Sequence, residues 1–364
     1  MKSNLIIALL NLLNVRKIGP QKIRNLTTKY NDIEQIFSLS ITELCSVDGI
    51  DQKSAQAILA YKDFDFGKKL FEETQKKNIN IVCFWDKTYP QLLKKIYDPP
   101  VVIFSIGKPI KYKEDAVAIV GTRTATQYGK RIAKSIAAEL SEKNITIISG
   151  LARGIDTIAH SATVQNKKRT IAVLGNGLDI IYPSENHKLA QNIVEKGTII
   201  SEFPLGTKPE AGNFPQRNRI ISGLAHATII VEAGDRSGAI LTALNAVDQN
   251  REVFAVPGRI TDKQSLGCNR LIRNGAIPYH NTEQVLDNIS SRLFKPISPM
   301  QQSIRLDLSK RERTVIKHLS DEPIQVDVLC NKSGIEVTAL LGILLSLELK
   351  GAVAQVGGKQ FVLA

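Results

Sequence analysis

Six clusters of small, turn-forming or charged residues recur along the middle of this sequence, each directly after a short run of apolar residues. They lie at residues 121–123, 150–154, 175–177, 202–204, 232–238 and 257–259. Four of the six clusters carry an arginine, namely Arg123, Arg153, Arg236 and Arg259. Glycine lets a backbone approach a ligand closely, and an arginine fork can hold a phosphate with two hydrogen bonds. One glycine after a strand only makes a turn, but arginine in four of six such turns predicts a phosphate site.

A further cluster, which runs from Asn213 to Arg219, combines an aromatic ring with cations. Phe214 is followed by Arg217, Asn218 and Arg219, after a loop rich in glycine and proline. Proteins that bind single-stranded nucleic acid stack bases on aromatic rings beside a basic groove. The same residues also fit a Phe214 that packs at a helix start while the arginines face water. The sequence of this segment favours neither interpretation.

The apolar runs before the clusters predict the strands that position them. They lie at residues 116–120, 145–149, 170–174, 198–201, 228–231 and 253–256. Each run is nearly all apolar, as in strands covered on both faces, and helical stretches such as 129–143, 156–166 and 239–250 alternate with them. This alternation predicts an α/β fold with a central doubly wound, Rossmann-like parallel sheet. Ligands of such sheets bind beyond the carboxyl ends of the strands, where the following helices offer free N–H groups.

Smaller units are predicted on both sides of the sheet. Residues 1–66 are helical in pattern, 67–290 hold the sheet, 291–304 form a linker with two prolines, and 305–364 form a small C-terminal unit. Residues 15–23 and 47–58 each resemble a helix–hairpin–helix element, in which backbone N–H groups contact a DNA phosphate, so we expect a SAM-like domain. Asp51 stands in the second copy where a glycine is usual, which weakens a phosphate site there. Packing without DNA contact is the alternative for this domain.

The C-terminal unit predicts a winged helix of the DML1-like kind. Helices are expected at 324–331 and 335–349, followed by a hairpin that turns at Gly357 and Gly358. The second helix has hardly any basic side chains, whereas a recognition helix in a major groove normally carries them. This unit therefore fits a role in binding a protein as well as a role in binding duplex DNA.

The charge balance of the chain favours a polyanionic partner. Lys and Arg number 48 against 35 Asp and Glu, a net charge of +13, although a generally basic surface is the alternative. The cysteines at positions 45, 83, 268 and 330 lie too far apart for a usual metal or disulfide framework, which predicts reduced, mostly buried thiols. The apolar run at residues 5–10 is too short to span a bilayer, so we expect a cytoplasmic protein without a membrane segment.

Eight longer motifs occur in order along the chain and together identify a family resemblance. They are GTRTATQYGKR, SGLARGIDTIAH, AVLGNGLDIIYPSENHKL, SEFPLGTKP, NFPQRNRIISGLA, EAGDRSGAILTA, REVFAVPGR and GCNRLIRNGA. Over roughly residues 80–285 the chain closely resembles the DprA/Smf family of bacterial DNA-processing proteins. The resemblance implies a non-enzymatic protein that binds and protects incoming single-stranded DNA during natural transformation and loads the RecA recombinase on it. It also implies a homodimer formed through the Rossmann-like domain.

The resemblance and the sheet-edge pattern together predict a set of DNA contacts. The resemblance assigns the DNA pocket to the first turn and to the segment that starts at Phe214, with a backbone contact as a lesser role for Lys188. The sheet-edge pattern adds the glycine and arginine of the second turn. The predicted contacts are Gly121, Thr122, Arg123, Gly150, Arg153, Lys188, Phe214, Arg217, Asn218 and Arg219. No catalytic residue, metal site or cofactor is predicted.

Two enzymatic functions are the alternatives. Nucleotide phosphoribohydrolases on a related fold carry a PGGxGTxxE segment, and the matching stretch at 232–242 lacks both its double glycine and its acidic residue. A nuclease would need carboxylates grouped around Mg²⁺. The carboxylates at or near strand ends are Asp156, Asp179, Glu202, Glu232 and Asp235. Neither a dinucleotide fingerprint after the first strand nor a P-loop is present, so we expect a binding protein and not an enzyme.

Overall fold

The computed structural model describes residues 3–30, 32–293, 309–320, 324–349, 352–356 and 360–363 of the chain. The chain divides into two compact units, residues 1–294 and 295–364. The first unit contains an N-terminal helical region and a nine-stranded sheet, and the second contains short helices and a three-stranded sheet.

The N-terminal region of the first unit consists of short helices joined by tight turns. Its α-helices are α1 (Ser3–Asn14), α2 (Pro20–Lys29), α3 (Ile41–Cys45), α4 (Gln52–Leu59) and α5 (Asp65–Lys76), with a 3-10 helix at Glu34–Ser38. Pro20 suits the first position of α2 because its φ is fixed, and Ser40 with Glu43 forms a capping box at α3. The pairs α1–α2 and α3–α4 match the two predicted helix–hairpin–helix elements. Asp51 caps α4 by accepting a hydrogen bond from the N–H of Ser54 (2.9 Å).

The nine-stranded sheet has the order β1-β2-β6-β5-β4-β3-β7-β8-β9. Its strands are β1 (Asn80–Cys83), β2 (Val102–Gly107), β3 (Ala116–Gly121), β4 (Thr146–Ser149), β5 (Thr170–Leu174), β6 (Thr198–Ser201), β7 (Ala227–Val231), β8 (Glu252–Ala255) and β9 (Ile277–Pro278). Strands β3 to β9 are parallel, which confirms the predicted doubly wound sheet, and β2 pairs antiparallel with both β1 and β6. The sequence pattern does not predict β1, β2 and β9. The first two form an antiparallel edge outside the strand–helix alternation, and β9 has only two residues.

Helices cover both faces of the sheet. In β3, Val117 and Ile119 face one core, whereas Ala118 and Val120 face the other. The helices α7 (Gln127–Glu142), α8 (Ile155–Gln165) and α13 (Thr282–Leu293) contribute to the first core. The helices α6 (Gln91–Lys94), α10 (Asn213–Gly223), α11 (Gly238–Asp248) and α12 (Leu266–Arg273) contribute to the second. The predicted helices at 129–143, 156–166 and 239–250 are confirmed as α7, α8 and α11.

The helical region and the sheet share one hydrophobic core. Leu9 of α1, Phe104 of β2 and Ile193 of α9 (His187–Lys196) are all buried in it. The boundary predicted at residue 66 therefore separates two kinds of secondary structure, and the same core extends across it.

The second unit is a winged helix, as predicted. Its elements are α14 (Lys310–Ile316), β10 (Ile324–Gln325), α15 (Val326–Ser333), α16 (Val337–Leu349), β11 (Val353–Val356) and β12 (Gln360–Leu363). The strands form an antiparallel sheet in the order β10-β12-β11, and Leu329, Leu340 and Phe361 lie in the core. The predicted turn at 357–358 lies outside the described residues. So does most of the predicted linker at 291–304, whose first three residues are the end of α13.

Among the described residues, no single helix has the length and apolar composition to cross a membrane. Two consecutive helices, Val326–Ser333 and Val337–Glu348, reach that length and apolar composition only when they are counted as one, and the chain bends by 105° between them. All four cysteines are free thiols, but only two of the four are buried, whereas most of them were predicted to be; Cys330 is half-buried. Cys83 and Cys268 are buried, but Cys45 is exposed, because it ends a short surface helix.

A histidine in α8 joins that helix to the sheet. His160 is fully buried, and its Nδ1 lies 2.7 Å from Oγ1 of Thr170 in β5. Burial lowers the pKa of the imidazole from 6.5 to about 3, so the ring is neutral in the folded protein at neutral pH.

We expect this histidine to make the fold sensitive to acid. Between pH 6.5 and about 3 the unfolded chain takes up a proton at His160 that the folded chain does not. The free energy of unfolding should fall by up to about 1.4 kcal/mol per pH unit in that window, and the contribution is complete above pH 6.5. Urea unfolding at several pH values should show a shallower fall for His160→Gln than for the wild type. The exposed His187→Gln variant serves as control, and equal slopes for all three proteins would contradict this expectation.

Candidate functional site

A pocket of about 830 Å³ opens at the carboxyl ends of β3, β4 and β7. From β3 the chain continues to β4, β5 and β6 on one side of the sheet and then crosses to β7 and β8 on the other. The pocket thus lies at the topological switch point, where ligands of such sheets bind. Six of the ten predicted contact residues line it, namely Gly121, Thr122, Arg123, Phe214, Arg217 and Asn218.

The turn after β3 presents Arg123 to this pocket. The carbonyl of Glu232 accepts a hydrogen bond from the N–H of Thr122 (2.7 Å), which fixes the turn from one side. Gly154 packs against the turn from the other side. Its φ is +77°, and it lies so close to the turn that a Cβ atom at this position would be 2.2 Å from the carbonyl oxygen of Thr122. Arg123 itself is exposed, and no carboxylate of the described chain pairs with it. The geometry therefore leaves its guanidinium available to a ligand.

An aromatic wall stands beside Arg123. The Cζ atom of Arg123 lies 5.6 Å from the ring centroid of Phe214, and the Phe214 and Tyr182 rings are 5.8 Å apart at an angle of 36°. Phe214 is half-buried and Tyr182 is exposed. Tyr182 is not among the contacts predicted from the sequence. The available signal was an aromatic residue inside the YPSEN motif of a chain with only 5% aromatic residues.

The floor of the pocket is a buried guanidinium. Arg217 is almost fully buried, and its Nη1 donates a hydrogen bond to the carbonyl of Val173. Gly150 makes room for it, because a methyl group at that position would lie 2.0 Å from Nη1 of Arg217. Burial lowers the pKa of Arg217 to about 10, while the Asp156 carboxylate opposes this shift. Arg217 is therefore protonated at neutral pH, with the Asp156 carboxyl beside it in the pocket lining.

Carboxylates of the protein occupy two of the turns that were predicted to offer free N–H groups. Glu232 is buried and accepts hydrogen bonds from the N–H (2.9 Å) and the hydroxyl of Thr126, at the start of α7. Asp156 accepts from the N–H of Gly150 (3.0 Å), before α8. The prediction of free N–H groups is therefore wrong for the turns after β3 and β4. Beside the pocket, α10 is the helix that begins without a side-chain cap, whereas Ser237 caps α11 by accepting a hydrogen bond from the N–H of Ala239 (3.3 Å).

The start of α10 and the start of α11 complete the pocket. No side chain caps α10, which begins at Asn213, and the exposed Arg236 precedes α11. Asn218 joins the two helices, because its Nδ2 donates to the carbonyl of Gly238 (3.4 Å). Two exposed arginines, Arg123 and Arg236, thus line a pocket with a charged floor and an aromatic wall.

The remaining predicted contacts do not line this pocket. Arg219 forms a two-pronged ion pair with Glu202 (2.6 and 2.7 Å), in which the two side chains are only 16% and 11% exposed. Arg153 pairs on the surface with Glu185 (2.8 Å), and Gly150 and Arg153 line a smaller adjoining recess. Lys188 is exposed in the first turn of α9.

The carboxylates considered for a nuclease are dispersed, and each already has a partner. Glu202 pairs with Arg219, and Asp235 pairs with Arg270. Asp179 accepts from the N–H of Gly206 (3.0 Å). In the described part of the chain, no three His, Cys, Asp or Glu side chains are grouped as a metal site would require. Glu232, in the stretch matched to the phosphoribohydrolase segment, is buried against Thr126.

Comparison with known families gives three matches along the chain. Residues 80–290 match the profile described as DNA recombination-mediator protein A, and residues 301–359 match the DprA winged helix domain. Residues 9–60 match the SAM-like helix-hairpin-helix tandem.

Individual relatives give the same result. The chain is 38% identical over 282 residues to "Protein Smf" of Synechocystis, which covers 76% of this chain and 71% of that protein. The X-ray structure of DNA processing protein A (DprA) from Streptococcus pneumoniae aligns with a TM-score of 0.67 at 33% identity, over 77% of this chain and 97% of that one. The Helicobacter pylori DNA processing protein A, whose structure is described as showing a single-stranded DNA binding mode, aligns with a TM-score of 0.53 at 29% identity, over 59% and 96% of the chains.

We expect substitutions at Arg219 and Arg123 to differ sharply in their effect on stability. Arg219→Ala leaves the nearly buried Glu202 without its partner, so the free energy of unfolding should fall by about 3–5 kcal/mol. Arg123→Ala removes an exposed side chain and should change it by less than about 0.5 kcal/mol. Chemical unfolding of both variants measures the difference. An Arg219→Ala protein as stable as the wild type would show that the ion pair has no structural role.

Proposed function

The chain belongs to the DNA recombination-mediator protein A family, and from that membership we propose that its pocket binds single-stranded DNA. The observation that carries the proposal is the position of Arg123, which is exposed and has no carboxylate partner among the described residues, 5.6 Å from the centroid of the Phe214 ring. A phosphate needs a cation, and an unpaired base needs an aromatic face. The pocket offers both within one nucleotide's reach.

Each part of the pocket has a distinct role in this proposal. Arg123 and Arg236 contact phosphates, and the ring of Phe214, with Tyr182 beside it, accepts a stacked base. Arg217 adds a buried guanidinium at the floor, next to the Asp156 carboxyl, and its N–H groups face the pocket from below the aromatic wall. Bases in a duplex are already stacked on each other, so the aromatic wall selects a single strand. The net charge of +13 favours the encounter.

The predicted contacts outside the pocket have secondary roles in the proposal. Arg219 positions α10 through its ion pair, and Gly150 makes room for the guanidinium of Arg217. Lys188 and Arg153 contact the DNA backbone beyond the pocket.

We propose that the protein is a binding protein and not an enzyme. The support is that the five carboxylates near the strand ends are dispersed and already paired. Incubation with a nucleoside monophosphate, and separately with DNA and Mg²⁺, tests this directly. Turnover in either mixture would contradict it.

We further propose that the protein protects incoming DNA during DNA uptake, acts as a homodimer through its Rossmann-like region and loads the RecA recombinase, as the family resemblance implies. An exposed apolar stripe on α11, formed by Leu241, Leu244 and Val247, supports self-association. Sedimentation at rising protein concentration tests the dimer, and RecA assembly on protein-coated DNA tests the loading. A monomer at every concentration, or no gain in assembly, would contradict the corresponding part.

Arg123→Ala should weaken binding of every single-stranded sequence about equally, because a phosphate contact carries no base information. The loss should be about tenfold or more, as for a hydrogen bond to a charged group. The slope of log K against log salt concentration should become shallower by about 0.7. Fluorescence anisotropy over a salt series measures both quantities. Arg131→Ala, an exposed arginine of α7 that does not line the pocket, is the control, and identical slopes for both variants would argue against a phosphate at Arg123.

Substitutions at Phe214 should separate stacking from packing. If a base stacks on the ring, Phe214→Ala should weaken binding by about fivefold to 150-fold, while Phe214→Tyr and Phe214→Trp keep most of it. If the ring serves only the core, Phe214→Ala should instead lower stability by about 3–5 kcal/mol and Trp should be tolerated badly. Thermal melting and DNA binding of the same three variants distinguish these outcomes.

A further inference from the structure

The sheet edge that holds the pocket continues past it, toward β2 and β1. β2 runs antiparallel to β6, so that Phe104 pairs with Ser201 and the start of β2 lies at the edge where β6 ends. β1 ends at the same edge, because Cys83 pairs with Val102. Only β6 lies between β5 and β2, so the loop before β2 is two strand spacings, roughly 10 Å, from the end of β5.

That loop, residues 97–101, is held in place by several hydrogen bonds to its backbone. Arg24 of α2 donates to the carbonyls of Pro99 and Tyr97, and Tyr89 donates to the carbonyl of Pro100 (2.7 Å). Arg219 donates through Nε to the carbonyl of Asp98 (2.9 Å). Arg219 belongs to α10, the helix that carries Phe214, so the loop is attached directly to a wall of the pocket.

The Tyr97 side chain takes no part in this scaffold. It is 86% exposed, although its own carbonyl is hydrogen-bonded. The neighbouring Asp98 carboxylate lies 3.5 Å from Arg24 and 3.4 Å from Arg219, so its charge is compensated. The backbone of the loop is thus held in place, while the Tyr97 ring stays exposed to solvent.

Cations and a second exposed ring lie on the segments beside this loop. Lys94 and Lys95 are exposed in and after α6, and Nζ of Lys94 lies 4.8 Å from the Phe84 ring centroid. Trp85, which contacts Phe84 edge-on at 5.6 Å, is 37% exposed. We call the group formed by Phe84, Trp85, Lys94, Lys95 and Tyr97 the Tyr97 platform.

We propose that the Tyr97 platform is a second stacking site, on which a single strand that leaves the pocket lays a further base along the sheet edge. The inference rests on the proposed binding of single-stranded DNA in the pocket. Exposed rings beside exposed lysines are the chemistry that holds unpaired nucleotides without reading their sequence. The contact between Arg219 and the loop keeps the two stacking sites at a constant separation.

The test compares two oligothymidylates, one of about 4 and one of about 16 nucleotides, which span the usual range of single-strand site sizes. Tyr97→Ala should weaken binding of the long strand by about fivefold to 150-fold and leave the short strand unchanged. Tyr112→Ala is the control, because Tyr112 is a 46% exposed tyrosine outside the platform, in the connection between β2 and β3. Its carbonyl accepts a hydrogen bond from Gln91 of α6 (2.8 Å), so this variant also tests whether a nearby exposed ring is enough. Thermal melting of Tyr97→Ala should match the wild type, since the ring is not packed.

The outcomes separate this inference from the proposed function. If the wild type binds neither strand, the proposed function fails and this inference fails with it. If Arg123→Ala weakens both strands while Tyr97→Ala weakens neither, the pocket stands and the platform is excluded. Equal weakening of both strands by Tyr97→Ala would place Tyr97 inside the pocket site and overturn the extension.

Intrinsic fluorescence gives an independent measurement, because Trp85 is the only tryptophan in the chain. Saturating amounts of the long strand should change its emission, and saturating amounts of the short strand should not. The absence of any change with the long strand would count against the platform, whereas an equal change with both strands would contradict its position beyond the pocket.

Discussion

The pocket depends on the burial of one positive charge, the Arg217 guanidinium. A buried cation without compensation is costly, and here the compensation comes from three directions. Asp156 supplies an opposite charge, the Val173 carbonyl accepts a hydrogen bond, and Gly150 leaves the space that the guanidinium fills. The ends of β4 and β5 and the starts of α8 and α10 must therefore meet at this point. The shape of the pocket follows from that meeting.

The other arginines divide into those used by the fold and those left for a ligand. Arg24 and Arg219 hold carbonyls and carboxylates of the chain. Arg123 and Arg236 remain exposed at the pocket rim. The carboxylates show the complementary arrangement, because those near the strand ends are engaged by internal donors. Arg123 and Arg236 are therefore the cations that the pocket rim offers to a ligand.

The sequence predicts the fold better than it predicts the site. Six strands were predictable because buried parallel strands are almost entirely apolar, while β1 and β2 escape the pattern as an antiparallel edge. Within the site, the residue types at Arg217 and Arg219 are the same and only their partners differ. Those partners are distant in sequence, since Arg219 meets Glu202 and Asp98, and Arg217 meets Val173. The local sequence does not distinguish an arginine that pairs with groups of the protein from one that is exposed to a ligand. It also gives no signal strong enough to include Tyr182 among the predicted contacts.

The position of Asp98 between Arg24 and Arg219 has a mechanical consequence. One guanidinium belongs to the N-terminal helices and the other to the helix that carries Phe214, and both hold the same short loop. A change in the tilt of α2 would therefore be transmitted as a displacement of α10. A protein that begins at residue 67 would lack Arg24, which holds this loop by hydrogen bonds, and would also lack a large part of the shared core. The N-terminal helices thus support the pocket through this loop. The sheet region without these helices would lack that support.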